Sequence, residues 1–256
     1  MKKIFYYISL LLLSASCAKF TPAQPQQGKG EGKGKWAPTE KKAETSQQSP
    51  STPSPSTYRI MLDPGHGGED PGAKSIVRPY VREKVLTLKT AKKVEEFLSK
   101  WGYQVYMTRR KDLFIPLQER VELAKKKNCN LFVSIHFNST PKPTAAHGAE
   151  IYYYSNEKKF PKIKDARAKQ SRELAAAILR RMAPATKAKP RGVHVGNYAV
   201  IRETMMPAVL IEAGFLSNSA EAKKLNNPNY IRFLSWSIAK GIDDYVVTRQ
   251  DVPGAN

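Results

Sequence analysis

The sequence predicts an α/β fold: one globular domain on an open, largely parallel sheet flanked by helices, preceded by a signal sequence and a disordered linker. From Tyr58 onward, short apolar runs alternate with longer stretches whose apolar residues recur every three or four positions, the pattern of strands alternating with helices. The 256 residues, 41% hydrophobic and 25% charged, suffice to bury one sizeable core. Three of the apolar runs end at a histidine or glutamate, His66, His136 and Glu212, as expected where parallel strands deliver side chains to a crevice beyond their carboxyl ends.

In chain order, Lys2 and Lys3 precede the apolar stretch Ile4 to Leu13, which is followed at once by the small residues Ser14, Ala15 and Ser16. That stretch is too short to span a bilayer as a helix and reads as an export signal over 1–16. It ends at Cys17, and "LLSASC" resembles the lipobox of bacterial lipoproteins, whose cysteine is lipidated and becomes the mature N-terminus. Ser14 stands where an aliphatic is usual, so cleavage by ordinary signal peptidase, leaving Cys17 as a free thiol, is the alternative. Residues 17–57 form a linker of Pro, Gln, Gly, Ser and Lys in which Phe20 and Trp36 are the only large apolar groups; with no core to offset ordering entropy it is expected to be disordered. Its random-coil span is roughly 35 Å, enough to hold a domain clear of a membrane.

The domain proper is 58–247. Its strand-like runs are YRIMLD (58–63), YQVYMT (103–108), NLFVSIH (130–136), AEIYYY (149–154), YAVIR (198–202) and AVLIEA (208–213). A helix is predicted over 83–100 from Val85, Leu88, Ala91, Val94 and Leu98, with Gly102 as its C-terminal stop. Similar spacing predicts helices over 116–126, with Pro116 in the first turn, 165–183 and 229–247, and leaves 248–256 as a tail. Cys129 reads as a small buried hydrophobe, and with Cys17 acylated no internal disulfide is expected. Lys and Arg number 43 against 22 Asp and Glu. Without the two lysines of the signal and the six lysines and three glutamates of the linker, 35 basic and 19 acidic residues remain, a net charge near +16. That is either a solvated basic face or attraction to an anionic cell envelope.

The segment Pro64 to Glu69 surrounds His66 with three glycines. A backbone without Cβ atoms turns sharply after a strand and lets a metal and a substrate approach closely. Two histidines and a carboxylate at strand ends suit a catalytic zinc site, which takes three protein ligands and keeps a fourth position for water. HExxH is absent, so the ligands come from separated segments.

"DPGHGGEDPGA", "REKVLTL", "SIHFNS" and "RGVHVGNYAVIRETMMPAVLIEAGFLSN" together resemble the zinc-dependent N-acetylmuramoyl-L-alanine amidases of the amidase_3 type over about 58–247. The resemblance implies a mixed sheet flanked by helices, and zinc ligands at His66, Glu83 and His136. It implies a catalytic glutamate at Glu212, with Ile211 where the family usually has Val. His194 of "RGVH" falls where many relatives carry a lysine or another polar group near the metal, implying a role in polarising the scissile carbonyl. Asn138 and Arg191 are further candidates for substrate binding, and His147 is expected to be structural or exposed. The implied partner is peptidoglycan, cleaved between N-acetylmuramic acid and L-alanine during wall remodelling and daughter-cell separation. A lipid anchor at Cys17 in the periplasm and a monomer are expected, and no nucleic acid. Some members of the family carry a helical insertion that plugs the zinc site until an activator removes it. Here only "NEKKFPKIKD" follows AEIYYYS, too short for such a plug, so no activator is expected.

Rival readings are a zinc carboxypeptidase or endopeptidase acting on stem peptides or lipid-linked precursor, a serine carboxypeptidase using SNEK (155–158) or SIAK (237–240), and a non-catalytic peptidoglycan-binding protein. The last has no need of a water-activating set.

Overall fold

A computed structural model describes residues 57–156, 165–186 and 189–250. The signal, Cys17, nearly all of the linker, most of NEKKFPKIKD and residues 251–256 lie outside the described residues.

The strands are β1 (Arg59–Pro64), β2 (Gln104–Met107), β3 (Leu131–Asn138), β4 (Ala149–Tyr153), β5 (Pro190–Val195) and β6 (Ala208–Phe215). They form one sheet in the order β2-β1-β3-β6-β4-β5. β1 pairs in parallel with β2 and β3, β3 with β6, and β4 with β5; β4 and β6 run antiparallel. The predicted mixed, mostly parallel sheet is therefore present. The helices are α1 (Glu83–Lys100), α2 (Leu117–Lys126), α3 (Ala166–Thr186), α4 (Ala199–Arg202), α5 (Ser219–Leu225) and α6 (Pro228–Gln250).

Because β1, β3 and β6 are covered on both faces, they read as nearly continuous apolar runs. One face carries Ile60, Leu62, Val133, Ile135, Val209 and Ile211 against α1, α3 and α6. In α6, Ile231, Leu234, Ile238 and Ile242 are buried at helical spacing, packing one stripe on the sheet. The opposite face carries Met61, Phe132 and Leu210 against Ala124 of α2 and Val200 and Ile201 of α4. Alternation along each strand then places Asp63, Ser134, His136 and Glu212 on this second face, toward its carboxyl end. Gly102 takes φ 91 just after α1, the left-handed reversal expected of a helix stop.

Four expectations need correction. YAVIR forms the short helix α4, and the fifth strand is instead PRGVHV. A short apolar run fits a buried helical turn as well as a strand. Val200 and Ile201, adjacent in sequence, both pack into the same cluster, which successive strand residues pointing to opposite faces would not do. PRGVHV shows no alternation because it is an edge strand with mostly exposed positions. Pro116 caps α2 rather than sitting inside its first turn. α6 runs through Gln250, into the region read as a tail. SIAK holds no nucleophile: Ser237 is fully buried and donates to Leu234 O, while Lys240 pairs with Asp243 and Asp244. Cys129 is buried as expected, and burial pushes its thiol up to about 11.

Candidate metal centre

The loop after β1 is gripped before it reaches His66. Arg109 donates to the carbonyls of Pro64 (3.0 Å) and Gly65 (2.8 Å), and Arg120 to those of Pro64 and His66 (both 2.9 Å). Arg120 also pairs with Asp63 at 2.8 Å, and Asp63 accepts from Thr108 and Ser134. Both members of this ion pair are buried, so the charges are compensated inside the protein. So held, His66 adopts φ 61, a left-handed conformation rare for a residue with a Cβ.

The His66 imidazole is oriented by Asp70, whose Oδ2 lies 2.7 Å from Nδ1, leaving Nε2 facing Glu83 Oε1 at 3.0 Å. His136 Nδ1, from β3, approaches the same Oε1 at 3.0 Å. The two rings meet edge to face with centroids 4.8 Å apart. Glu83 opens α1 with its carboxylate nearly buried; Oε2 accepts from Ala73 N (3.0 Å) and Oε1 from Phe137 N (3.1 Å). One donor atom each from His66, Glu83 and His136 lie within 4.8 Å of one another. Three neutral-nitrogen and carboxylate donors from separated segments, one histidine oriented by a second carboxylate, make a set suited to zinc.

Two glycines are required here on steric grounds. A Cβ on Gly65 would run into the His136 ring, with Nδ1 at 2.6 Å, and one on Gly72 would meet Glu83 Cβ and His66 Cδ2, both at 2.7 Å.

The electrostatics follow from burial among like and unlike charges. Burial alone would raise the Glu83 pKa, but hydrogen bonds and charge from His136 and His66 outweigh it and hold the carboxyl well below its usual range. Burial would lower His66, but Glu83 and Asp70 outweigh it and raise its affinity for a proton. Glu212 is the reverse case: burial, then the charges of Glu83 and Glu150, push it well above the ordinary carboxylate value. Glu212 faces His136 across the β3–β6 ladder, and its Oε2 is buried with no hydrogen-bond partner among the described residues. A buried carboxylate oxygen left without a partner is uncommon in a folded protein. Beside the cluster lies a cavity of about 170 Å³ lined by His66, His136, Asp70, Phe114 and Tyr198, among others.

The structure thus brings together His66, Glu83, His136 and Glu212. It does not bring in His194, which lies exposed on the edge strand β5, its ring 5.6 Å from that of Tyr152, with β4 between it and β6. His147 is exposed in a loop, as expected. Asn138 and Arg191 converge on Glu150, a residue the sequence reading did not single out: Asn138 Nδ2 donates at 2.7 Å and Arg191 Nε at 2.8 Å. Asp70 was also not singled out. An acidic residue inside the apolar AEIYYY run was the signal for Glu150; nothing in the sequence marked Asp70 from its neighbour Glu69.

Residues 60–244 match the profile of a family described as N-acetylmuramoyl-L-alanine amidase. Over 195 residues the chain is 39% identical to an "uncharacterized cell wall amidase" of Bacillus anthracis, covering 73% of this chain and 35% of that one. Over 222 residues it is 33% identical to the N-acetylmuramoyl-L-alanine amidase AmiC of Neisseria meningitidis, covering 74% and 53%. The chain therefore spans about a third and about half of these relatives' lengths. Among solved structures it resembles the catalytic domain of CwlV, an N-acetylmuramoyl-L-alanine amidase from Bacillus (Paenibacillus) polymyxa, with 37% identity, TM-score 0.65 and coverage of 74% and 98%.

Proposed function

The chain belongs to the N-acetylmuramoyl-L-alanine amidase family, and from that premise we propose that it hydrolyses the amide between N-acetylmuramic acid and the L-alanine of the peptidoglycan stem. The observation that carries this reading is the meeting of His66, Glu83 and His136 beside Glu212, whose Oε2 is buried with no hydrogen-bond partner among the described residues.

In this reading His66, Glu83 and His136 hold a zinc ion, which when bound supplies Lewis acidity to a water and to the lactyl carbonyl. Glu212 accepts the proton that the attacking water loses. Burial and the neighbouring carboxylates raise its affinity for a proton, which favours the proton-accepting role. Glu212 then hands that proton to the L-alanine nitrogen as the C–N bond breaks, giving a lactyl carboxylate and a free stem peptide. Asp70 keeps the His66 tautomer that leaves Nε2 free, and Arg109 and Arg120 hold the loop that presents it. His194, on an edge strand, has no contact in the structure that would place it at the scissile carbonyl.

Residues 1–16 serve as the export signal in this proposal, Cys17 as a lipid anchor in the periplasm, and 17–57 as the tether. No helix of the described residues is long and apolar enough to cross a membrane. The short segment after Tyr154 supports an enzyme that needs no activator, and a monomer is proposed with it. The test is mass analysis of the products from purified peptidoglycan, with zinc and with chelator. Free stem peptides released only with metal are expected; shortened stems still attached to glycan would overturn the amidase reading.

A further inference from the structure

We propose that Arg191 is a carboxylate-binding residue that selects stem peptides carrying an acidic group next to the scissile amide. This deepens the amidase reading and rests on it.

Arg191 reaches the site because the β4–β5 ladder slips. Ala149 pairs with Pro190 and Glu150 with Gly192, so Arg191 is an extra, bulged residue, and a bulge re-aims the side chain it carries. The side chain turns to Glu150, where Nε donates to Oε2 at 2.8 Å, and its guanidinium carbon sits 5.0 Å from the centre of the Phe215 ring. Phe215 is delivered by a second irregularity: His136 pairs with Glu212, but Asn138 pairs with Phe215, so β6 carries one more residue than β3 across this step. Two ladder slips therefore converge on one guanidinium.

Glu150 is a fixed post for it. The carboxylate is nearly buried, and its other oxygen accepts from Asn138 Nδ2 at 2.7 Å and Tyr152 OH at 2.9 Å. Arg191 is thus anchored at Nε and stacked on a ring, while its Nη1 and Nη2 form no hydrogen bond among the described residues and its side chain is 35% exposed. A guanidinium with one edge tied down presents the other as a planar fork that matches a carboxylate. Most of the entropy cost of ordering that side chain is already met in the free protein.

Its position gives the ligand class. Glu150 lies directly opposite Glu212 in the β4–β6 ladder, about 5 Å away across one strand spacing. The fork therefore stands within about 10 Å of the proton-accepting carboxylate, roughly the reach of two or three extended peptide residues. A carboxylate on the residue following the stem's L-alanine falls inside that distance. A carboxamide there would lose the ionic half of the contact.

The experiment compares two synthetic muramyl tripeptides that differ only in a carboxylate or a carboxamide on the second stem residue. Zinc-loaded protein is assayed for kcat/KM, and metal-free protein is titrated calorimetrically with the two released tripeptides. Wild type is expected to favour the acid about tenfold or more in both measurements, the kinetic part chiefly through KM. Arg191→Gln should bring both ratios close to one; because it also removes the ion-pair partner of the nearly buried Glu150, the ratio of acid to carboxamide, and not the absolute rate, carries the test. Arg191→Lys keeps the charge without the anchored fork and should give an intermediate ratio. The proposal is overturned if wild type does not discriminate, if Arg191→Gln still does, or if that variant loses both substrates alike, as a purely structural role would require. Cleavage of neither substrate by wild type would overturn the amidase reading instead, and the calorimetric ratio would still decide the role of Arg191.

Discussion

Gly65→Ala tests how closely the metal centre depends on a missing side chain. Gly65 is not one of the glycines with positive φ, so alanine meets no backbone penalty and the effect is purely steric. The added Cβ would lie 2.6 Å from His136 Nδ1, with Cε1 and Nε2 nearer still, whereas ordinary contact begins near 3.4 Å. The ring must retreat by about 1 Å. It has little freedom to do so, because His136 sits in a central strand and Nδ1 is held 3.0 Å from Glu83 Oε1. Such overpacking costs about 1–3 kcal/mol, which for a domain of this size lowers Tm by some 2–4 °C per kcal/mol. Coordination tolerates displacements of only about 0.2 Å, so the loss at the metal should far exceed the loss in stability. We expect the metal-free variant to fold with a modestly lower Tm, to bind zinc at least about 100-fold more weakly in competition with a chelating dye, and to lose hydrolysis. Wild-type zinc affinity in a folded Gly65→Ala protein would refute the assignment of His136 as a ligand.

Other variants separate the remaining roles. Glu212→Gln keeps the shape but cannot accept a proton; it should retain near-stoichiometric zinc by elemental analysis while losing about 10²-fold or more in rate, and loss of zinc would make Glu212 a ligand and reopen Glu83. Arg120→Ala leaves Asp63 as a buried charge without its ion-pair partner and releases the carbonyls of Pro64 and His66; denaturant unfolding should show a loss of about 3–5 kcal/mol, and a loss below 1 kcal/mol would mean the clamp is dispensable. Cys129, buried with its thiol near 11, should resist iodoacetamide at pH 8 until the protein is unfolded, as followed by mass shift. Cys17→Ser should move the protein from the membrane fraction to the soluble fraction; a wild type already soluble with an unmodified N-terminus would remove the anchor.

What could be read along the chain was whatever local order encodes. Continuous apolar runs in YRIMLD, NLFVSIH and AVLIEA marked the central strands, because strands covered on both faces have no polar side. The residues ending those runs, His66, His136 and Glu212, were visible as candidates because the carboxyl ends of adjacent parallel strands open on one crevice. Glu83 was not legible in this way: a glutamate at a helix start is explained by the dipole alone, and only the packing of α1 against the β1 and β3 ends carries it to both histidines. The Asp63–Arg120 pair was equally hidden, since both charges are buried only because residues far apart along the chain meet; Asp70, part-exposed and four residues from His66, had nothing to mark it from Glu69. Tertiary structure also decided between YAVIR and PRGVHV. The apolar segment became a helical turn because two successive side chains had to enter one cluster, and the polar one became a strand because an exposed sheet edge asks only for backbone pairing. Sequence determined which groups stand at the strand ends; which of them share a proton, a metal or a carboxylate depends on register and burial, and those exist only once the sheet has closed.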